Sequence, residues 1–274
     1  MPIIYLIVDI NPFLFMPLIS AVIITLNEQD FIGRCLESLE GIADEIIVVD
    51  SFSTDSTEEI CKKFNVRFIR HEFEGYVEQK NYALSLAGNQ HVLSLDADEA
   101  LSEELRKSIL NIKEKFDYDG YRFNRLNNYC GQWIKHSRLY PDRQLRLFDS
   151  SKGRWMGPNP HDKFRMDKGA RVCRLKGNLL HWYYSSFEEH LDKINRFSTI
   201  SATEYYKAGK KAGLLTATIH RWWSFFRSYI LCAGFLDGYI GYAGCSLTSY
   251  SSFLKYAKLR ELNKKKRDNK NNRP

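Results

Sequence analysis

The sequence ISAVIITLNEQDFIGRCLESLEGIADEIIVVD, residues 19–50, contains a strand, a helix and a second strand in succession. The strands are the β-branched runs 19–25 and 45–49. Between them, apolar residues recur at helical spacing: Phe31, Ile32, Cys35, Leu36 and Leu39. Two strands joined through a helix favour parallel pairing, so this stretch predicts the start of an α/β sheet.

The same alternation continues along the chain. We predict a helix from about Thr54, a strand at 66–69, a helix at 77–87, a strand at 92–95 and a helix from Ser102 to about residue 115. After Asp119, aromatic and Arg-rich strands are predicted at 121–126, 144–148 and 171–175, with a loop over 153–162 between the last two. The fold class is therefore α/β, with a mostly parallel, Rossmann-like sheet, a mixed sheet extension, and helices again from Phe187.

We predict four segments along the chain. They are an N-terminal extension at 1–17, an α/β domain at 18–185, a helical region at 186–262 and a basic disordered tail at 263–274. Residues 1–15 hold Asp9 and Pro12 but no Lys or Arg, which makes a poor signal peptide. We therefore predict that Met16 is the natural start.

Charge is unevenly distributed over the 274 residues, whose net charge is +7. Residues 1–119 carry 10 basic and 22 acidic side chains, residues 120–254 carry 21 and 9, and residues 255–274 carry nine and two. The final segment thus accounts for the whole net charge, and nucleic acid is not an expected partner. The six cysteines include no CxxC pair, which argues against a zinc site or a disulfide framework.

Acidic residues follow three of the predicted parallel strands, namely Glu28, Asp50 and the pair Asp96 and Asp98. Ligands bind at the carboxyl ends of such strands, so these carboxylates should meet in one crevice. A shared Mg²⁺ or Mn²⁺ on the pair would relieve their repulsion and would bind a diphosphate. Because no glycine-rich loop follows these strands, the metal and Lys80 are the predicted phosphate binders.

Three of these segments resemble family 2 glycosyltransferases of the GT-A fold. They are Leu26-Asn27-Glu28, the stretch VVDSFSTD at 48–55 and the stretch LDADE at 95–99. Five others resemble the subgroup of bacterial lipopolysaccharide-core β-glucosyltransferases: 79–84, 146–148, 157–162, 235–238 and 255–259. The resemblance covers residues 18–262.

The resemblance implies an inverting transfer of a hexose from a nucleotide-diphospho-sugar, with UDP-glucose expected, onto an inner-core sugar of lipopolysaccharide or a related glycolipid. The implied nucleotide-sugar site comprises Asn27, Glu28, Asp50, Ser51, Ser53, Lys80, Asp96, Ala97 and Asp98. The implied metal ligands are Asp96, Asp98 and a late histidine, His181, for Mg²⁺ or Mn²⁺.

Inversion requires a base that takes the proton of the acceptor hydroxyl. The candidate is Asp162, although members of the subgroup usually carry Glu after the preceding histidine. Asp142, Asp149 and Asp237 are the alternatives, each of which could instead form a structural salt bridge.

The basic middle region is predicted to contact a phosphorylated acceptor through Arg143, Arg146, Trp155 and His161. Residues 222–256 contain 11 aromatic residues in 35 positions, which is typical of a segment lying in a membrane interface. Together with the basic tail, they predict a cytoplasmic protein held at the anionic inner face of the cytoplasmic membrane.

Structural roles remain open for several of these residues. Asp55 is favoured as a turn former, Lys80 could be a solvated helix residue, His181 could be a satisfied interior histidine, and Trp155 could belong to the core. Three other functions also compete: a metal-dependent nucleotidyltransferase, a phosphatase built on the Asp96–Asp98 pair, and a non-catalytic membrane-associated protein that binds nucleotide sugars.

Overall fold

The computed structural model describes residues 17–158 and 162–271. The strands are β1 (Ile19–Thr25), β2 (Glu45–Asp50), β3 (Arg67–Arg70), β4 (His91–Asp96), β5 (Glu99–Leu101), β6 (Gly120–Tyr129), β7 (Gln132–Ile134), β8 (Asp142–Asp149), β9 (Gly153–Met156), β10 (Lys163–Met166) and β11 (Val172–Tyr184). The helices are α1 (Ile32–Leu39), α2 (Thr57–Cys61), α3 (Tyr76–Ser85), α4 (Glu103–Lys113), α5 (Phe187–Lys207), α6 (Leu214–Phe225) and α7 (Gly238–Asn271). A π-helical segment, Phe226–Leu231, continues α6.

The described chain forms two compact units, and each contains two stretches of sequence. The first unit comprises residues 17–123 and 143–179, and the second comprises residues 124–142 and 180–271. The prediction divides the chain once, at residue 185. In the structure the second unit also includes residues 124–142, which separate the two segments of the first unit.

The large sheet has the strand order β3-β2-β1-β4-β8-β6-β11-β5, with β7 paired to β6. Its first four strands are parallel, and β8 joins β4 in the antiparallel sense. The predicted α/β class, with a parallel core and a mixed extension, is confirmed. Because Asp50 lies opposite Thr25 and Asp96 lies opposite Ile24, the three strand ends share one edge of the sheet.

Alternating side chains of the parallel strands pack into two cores, one on each face. Ile23 and Val48 pack in the same cluster as α1, and their neighbours Val22 and Val49 pack in the cluster that contains Ala83 of α3. Successive side chains point to opposite faces of the sheet, and both faces are covered by a core. The strands therefore read as nearly continuous apolar runs. The predicted α1 face is confirmed, since its apolar residues from Ile32 to Leu39 are fully buried.

Several predicted boundaries shift in the structure. Helix α2 begins at Thr57 rather than near Thr54, because Thr54 and Asp55 bond to the segment that follows β1. The predicted loop 153–162 contains β9, which pairs with β10 in a two-stranded antiparallel sheet. Ser102 caps α4 as expected, and its hydroxyl accepts a hydrogen bond from the backbone of Leu105.

The second unit is built on α5, α6 and α7 and on a small aromatic core of Tyr129, Ile134 and Tyr184. Helix α7 continues to Asn271, whereas the sequence predicts a disordered tail from residue 263. The segment is rich in Lys and Arg, which favour helix, and an i,i+4 ion pair joins Glu261 to Lys265. The expected start at Met16 lies outside the described residues.

No single helix among the described residues meets the length and hydropathy expected of a membrane span. One bent pair, Leu215–Leu231 with Gly234–Lys265, meets that test jointly, and its two parts are inclined by 74°.

Candidate active site

The segments that follow β1 and β2 are held together by reciprocal hydrogen bonds. Asn27 adopts a left-handed backbone with φ of 54°. Its backbone N–H donates to Ser53 Oγ at 2.8 Å, and its side-chain oxygen accepts from the Thr54 backbone at 2.8 Å. The Glu28 N–H donates to Thr57 Oγ1 at 2.9 Å. We call these two segments, which are predicted to bind the nucleoside, the nucleoside edge. Because they share their polar groups, the protein itself holds this edge in place.

Asp50 and Asp55 brace this edge. The Asp50 carboxylate is buried and accepts hydrogen bonds from the backbone and hydroxyl of Ser53. Asp55 accepts from Thr57 and from the backbone of Gln29. Burial works against the charge of Asp55, but these hydrogen bonds prevail and lower its pKa. The favoured turn-forming role of Asp55 is thereby confirmed.

The end of β4 places the Asp96 carboxylate between two cations. Lys80 Nζ lies 2.9 Å from Asp96 Oδ1, and the Arg146 guanidinium lies 2.7 Å from Asp96 Oδ2. Arg146 also contacts Glu99 at 2.6 Å, and Glu99 in turn accepts a hydrogen bond from the Asp96 backbone. Asp96 is thus fixed through both of its oxygens.

Arg146 is an internal residue, which corrects its predicted place on the acceptor surface. Only 3% of Arg146 is exposed, and Glu99 is fully buried beside it. Burial opposes the charge of the guanidinium, but Asp96 and Glu99 more than offset it and raise the pKa of Arg146. Arg146 therefore remains charged and holds the end of β4.

Trp155 was also expected at the acceptor, and the structure instead places it in a core cluster with Phe148 and Phe164. Its ring lies against Lys80, whose Nζ is 4.5 Å from the ring centroid. The open alternative of a core tryptophan is confirmed, because only 3% of Trp155 is exposed and both phenylalanine rings pack against it in T-shaped contacts.

Lys80 also reaches the candidate base. Its Nζ lies 2.9 Å from Asp162 Oδ2, and Lys80 as a whole is 5% exposed. The alternative of a solvated helix lysine is therefore wrong. One ammonium group joins the strand-end carboxylate Asp96 to Asp162, the residue that the sequence analysis proposes for proton transfer.

Cys35 of α1 lies close to the same acidic group, and its Sγ is 3.8 Å from the Asp96 carbonyl oxygen. Burial raises the pKa of the Cys35 thiol well above its ordinary value, with further contributions from Glu99, Asp98 and Asp96. A thiol held in its protonated form is a poor nucleophile, so Cys35 contributes packing rather than covalent chemistry.

The three alternative bases have structural contacts. Asp142 forms an ion pair with Arg125 at 2.7 Å, and buried Asp237 accepts from the backbone of Lys135 and His136. Asp149 lies opposite His91, the first residue of β4. That position is at the far end of β4 from Asp96, so Asp149 is excluded from this edge of the sheet.

Metal binding was predicted for Asp96, Asp98 and His181. Within residues 17–158 and 162–271, no group of three or more His, Cys, Asp or Glu side chains is arranged to hold a metal ion. Both Asp96 oxygens already face cations, Lys80 and Arg146. His181 belongs to the second unit, where its Nδ1 lies 2.6 Å from Asn127 Oδ1 in the buried interior.

The remaining predicted residues have varied surroundings. Ala97 packs in the core, Ser51 accepts a hydrogen bond from the Gln79 side chain, and Arg143 is exposed as expected of an acceptor contact. His161 lies outside the described residues. Gln79 is a site residue that the sequence did not single out, although it lies in segment 79–84, which carries the family resemblance.

The model of the family "Glycosyl transferase family 2" matches residues 20–173, more than half of the 274 residues. An uncharacterized glycosyltransferase of Rickettsia typhi is 34% identical over 82% of this chain and 80% of its own length. The lipopolysaccharide core biosynthesis glycosyltransferase LpsC of Rhizobium meliloti is 32% identical over 70% of this chain and 73% of its own length.

Among solved structures, the crystal structure of S. aureus TarS 1–349 superposes with a TM-score of 0.45 at 15% identity, over 88% of this chain and 91% of that one. The family model and the relatives confirm the predicted resemblance and, with the sheet described above, the GT-A type of α/β fold. This chain belongs to glycosyl transferase family 2.

Proposed function

We propose that the protein transfers a hexose, with inversion, from a nucleotide-diphospho-sugar to a sugar of the lipopolysaccharide core or a related glycolipid. UDP-glucose is the proposed donor. The observation that carries this proposal is the Lys80 bridge between Asp96, at the donor edge of the sheet, and Asp162. A transferase needs a donor site and a base side by side, and a binding protein does not.

On the donor side, Asn27, Glu28, Asp50 and Ser53 frame the nucleoside, and Asp96 and Lys80 lie toward the sugar phosphate. Asp98 would hold Mg²⁺ or Mn²⁺ together with oxygens of the diphosphate, since Asp96 is already committed to Lys80 and Arg146. Such an ion supplies positive charge where the nucleoside diphosphate departs. Asp96 then serves as an anchor that Arg146 keeps in place.

The chemical step needs one proton acceptor. The acceptor hydroxyl oxygen forms a bond to the anomeric carbon as the bond from that carbon to the diphosphate breaks, and UDP departs with the electron pair. Asp162 takes the hydroxyl proton. The attack comes from the face opposite the diphosphate, so a UDP-α-glucose donor gives a β-linked product.

The acceptor class is supported by the relative named for lipopolysaccharide core biosynthesis and by the basic character of residues 120–254. Inner-core sugars are rich in phosphate and carboxylate groups, which exposed arginines such as Arg143 would bind.

Donor selectivity is the direct test. In a panel of nucleotide sugars with Mn²⁺, we expect UDP-glucose to raise the unfolding midpoint, because it binds the folded state; saturation at 100 times Kd corresponds to about 2.7 kcal/mol. The rise should disappear with EDTA and in Asp98→Asn. UDP release should then require a truncated core acceptor. If donor binds but no acceptor supports UDP release, the protein is a nucleotide-sugar-binding protein instead.

The second unit presents an exposed apolar stripe, which we define as Leu215, Ile219, Trp222, Trp223, Phe226 and Ile230. These residues recur every three or four positions, so they lie on one side of α6 and the π-helical segment. Trp222 is 66% exposed and Trp223 is 54% exposed. Large exposed apolar patches mark interaction sites in soluble proteins.

We propose that the apolar stripe docks on the anionic inner face of the cytoplasmic membrane, where a cytosolic donor and a glycolipid acceptor meet. Tryptophan is favoured at the depth of lipid headgroups. The charged residues from 212 to 254 are Arg221, Arg227 and Asp237, and both arginines are exposed while the aspartate is buried. The charge beside the stripe is therefore positive, which suits anionic lipid better than a second protein surface.

Vesicle binding tests this proposal. With phosphatidylglycerol vesicles, Trp222→Ser combined with Trp223→Ser should weaken co-sedimentation at least about tenfold, because each buried indole contributes more than about 1.4 kcal/mol. The control, Leu191→Ser with Ile200→Ser, alters exposed apolar residues of α5 and should bind as the unmodified protein does. If the tryptophan variant binds vesicles normally, and the unmodified protein is a dimer in solution whereas the variant is a monomer, the stripe is a protein interface.

A further inference from the structure

Three consecutive residues of α3 contact three different parts of the first unit. We infer that Gln79, Lys80 and Asn81, which we call the α3 clamp, form a positioning unit that keeps the candidate base aligned with the donor site. This inference rests on the proposed function. It assigns roles to Gln79 and Asn81, to which the proposed function gives no part in the reaction.

Gln79 ties α3 to the nucleoside edge. Its amide nitrogen donates to Ser51 Oγ at 3.0 Å, and its side-chain oxygen lies 2.8 Å from His71 Nδ1. Gln79 is completely buried, and His71 stacks on Tyr82 one turn further along the same helix. A buried amide with partners for both its oxygen and its nitrogen is held in place, so Ser51 is fixed relative to α3.

Asn81 ties α3 to the strand that leads toward the base. Its side-chain nitrogen donates to the Trp155 carbonyl at 3.0 Å, and its side-chain oxygen accepts from the Trp155 backbone at 3.1 Å. Trp155 lies in β9, whose residue Met156 pairs with Lys163 of β10. Asp162 immediately precedes β10. The two Asn81 hydrogen bonds therefore fix the β9–β10 pair, next to which the candidate base lies.

Lys80 completes the unit between these two residues. Successive helical residues project in directions about 100° apart, so one rigid helix can address three targets at once. Lys80 contacts Asp96 and Asp162, each at 2.9 Å. Helix α3 therefore contacts the nucleoside edge, the donor carboxylate Asp96 and the candidate base Asp162. A shift of any one of them would distort the contacts of the clamp.

Asn81→Ala is the first test, because it leaves every proposed donor contact in place. Misplacing a reacting group by about 1 Å can cost about a hundredfold in rate, so we expect kcat to fall about tenfold to a hundredfold while the KM for UDP-glucose stays within about twofold. The matched control is Asn89→Ala, which removes one side-chain hydrogen bond to Ser20 at the start of β1. It should reduce thermal stability comparably and leave kcat unchanged.

A thermodynamic cycle on Lys80 and Asp162 tests the clamp without any activity. Lys80→Met strands the Asp162 carboxylate, whereas Asp96 keeps Arg146. The double variant Lys80→Met with Asp162→Asn should therefore have a higher unfolding midpoint than Lys80→Met alone. Additive losses from the two single variants would mean that the contact is absent, and would overturn the inference.

The two proposals fail in different ways. If the unmodified protein releases no UDP with any donor and acceptor, the proposed function fails while the cycle still reports on the clamp. If the unmodified protein is active and Asn81→Ala retains the kcat of Asn89→Ala, the clamp inference fails and the proposed function stands.

Discussion

Arg146→Met is expected to destabilise the protein by about 3–5 kcal/mol, as measured by urea unfolding, because it removes one partner from a buried ion-pair group. The guanidinium contacts Asp96 at 2.7 Å and Glu99 at 2.6 Å. Glu99 is fully buried, so without Arg146 its carboxylate would have to lose its charge or admit water. Either response would disturb the end of β4.

Two comparisons separate this effect from a general loss of charge. Lys207→Met removes an exposed ion pair with Glu204 and should leave the free energy of unfolding nearly unchanged. Adding Glu99→Leu to Arg146→Met should recover much of the lost stability, because a neutral pair of similar volume leaves no stranded charge. An Arg146→Met protein as stable as Lys207→Met would show that Arg146 does not anchor this strand.

The recovered double variant is also informative about function. Its Asp96 would retain Lys80 but lose the contact that fixes the second carboxylate oxygen. We expect weaker donor binding in a folded protein, which distinguishes positioning of Asp96 from simple maintenance of the fold.

The sequence was sufficient to predict the sheet edge. Parallel strands bring their carboxyl ends together whatever the loops do, so Asn27, Asp50 and Asp96 could be placed at one edge from strand order alone. The turn role of Asp55 was equally accessible, because a short acidic side chain before Ser and Thr bonds its local backbone.

Contacts between segments far apart in the sequence could not be predicted from strand order. Arg146 was expected at the acceptor because it lies in the basic middle region, and its burial depends on Glu99, which lies 47 positions away. The Lys80–Asp162 contact spans 82 positions. Neither hydropathy nor periodicity encodes such a pairing, since a buried cation on a helix has the same local pattern as a solvated one.

The three residues of the α3 clamp could not be recognised from the sequence one at a time. Gln79, Lys80 and Asn81 have no amphipathic pattern, and polar residues in a helix are ordinarily solvent-facing. In the structure, Gln79 and Lys80 are buried because each finds polar partners across the first unit. The buried residues Gln79 and Lys80 thus belong to an internal polar network, whereas Glu78 beside them is exposed.

Asp162→Asn is expected to lower kcat for hexose transfer by about a hundredfold to ten-thousandfold, the range that a general base contributes. The amide has the same shape as the carboxylate and can still accept a hydrogen bond from Lys80, but it cannot take the acceptor proton. Donor binding should persist, because Asp96, Asp98 and Lys80 are unchanged. The midpoint rise with UDP-glucose and Mn²⁺ should therefore match that of the unmodified protein.

The control for lost charge is Asp167→Asn, which alters an exposed aspartate just after β10 and should retain full kcat. Asp162→Glu is the more discriminating variant. It keeps a carboxylate and adds one methylene, which gives the residue usual at this position in the subgroup that the sequence resembles. If Asp162 is the base, Glu should retain far more kcat than Asn, whereas a purely structural partner of Lys80 should tolerate the isosteric Asn better than the longer Glu.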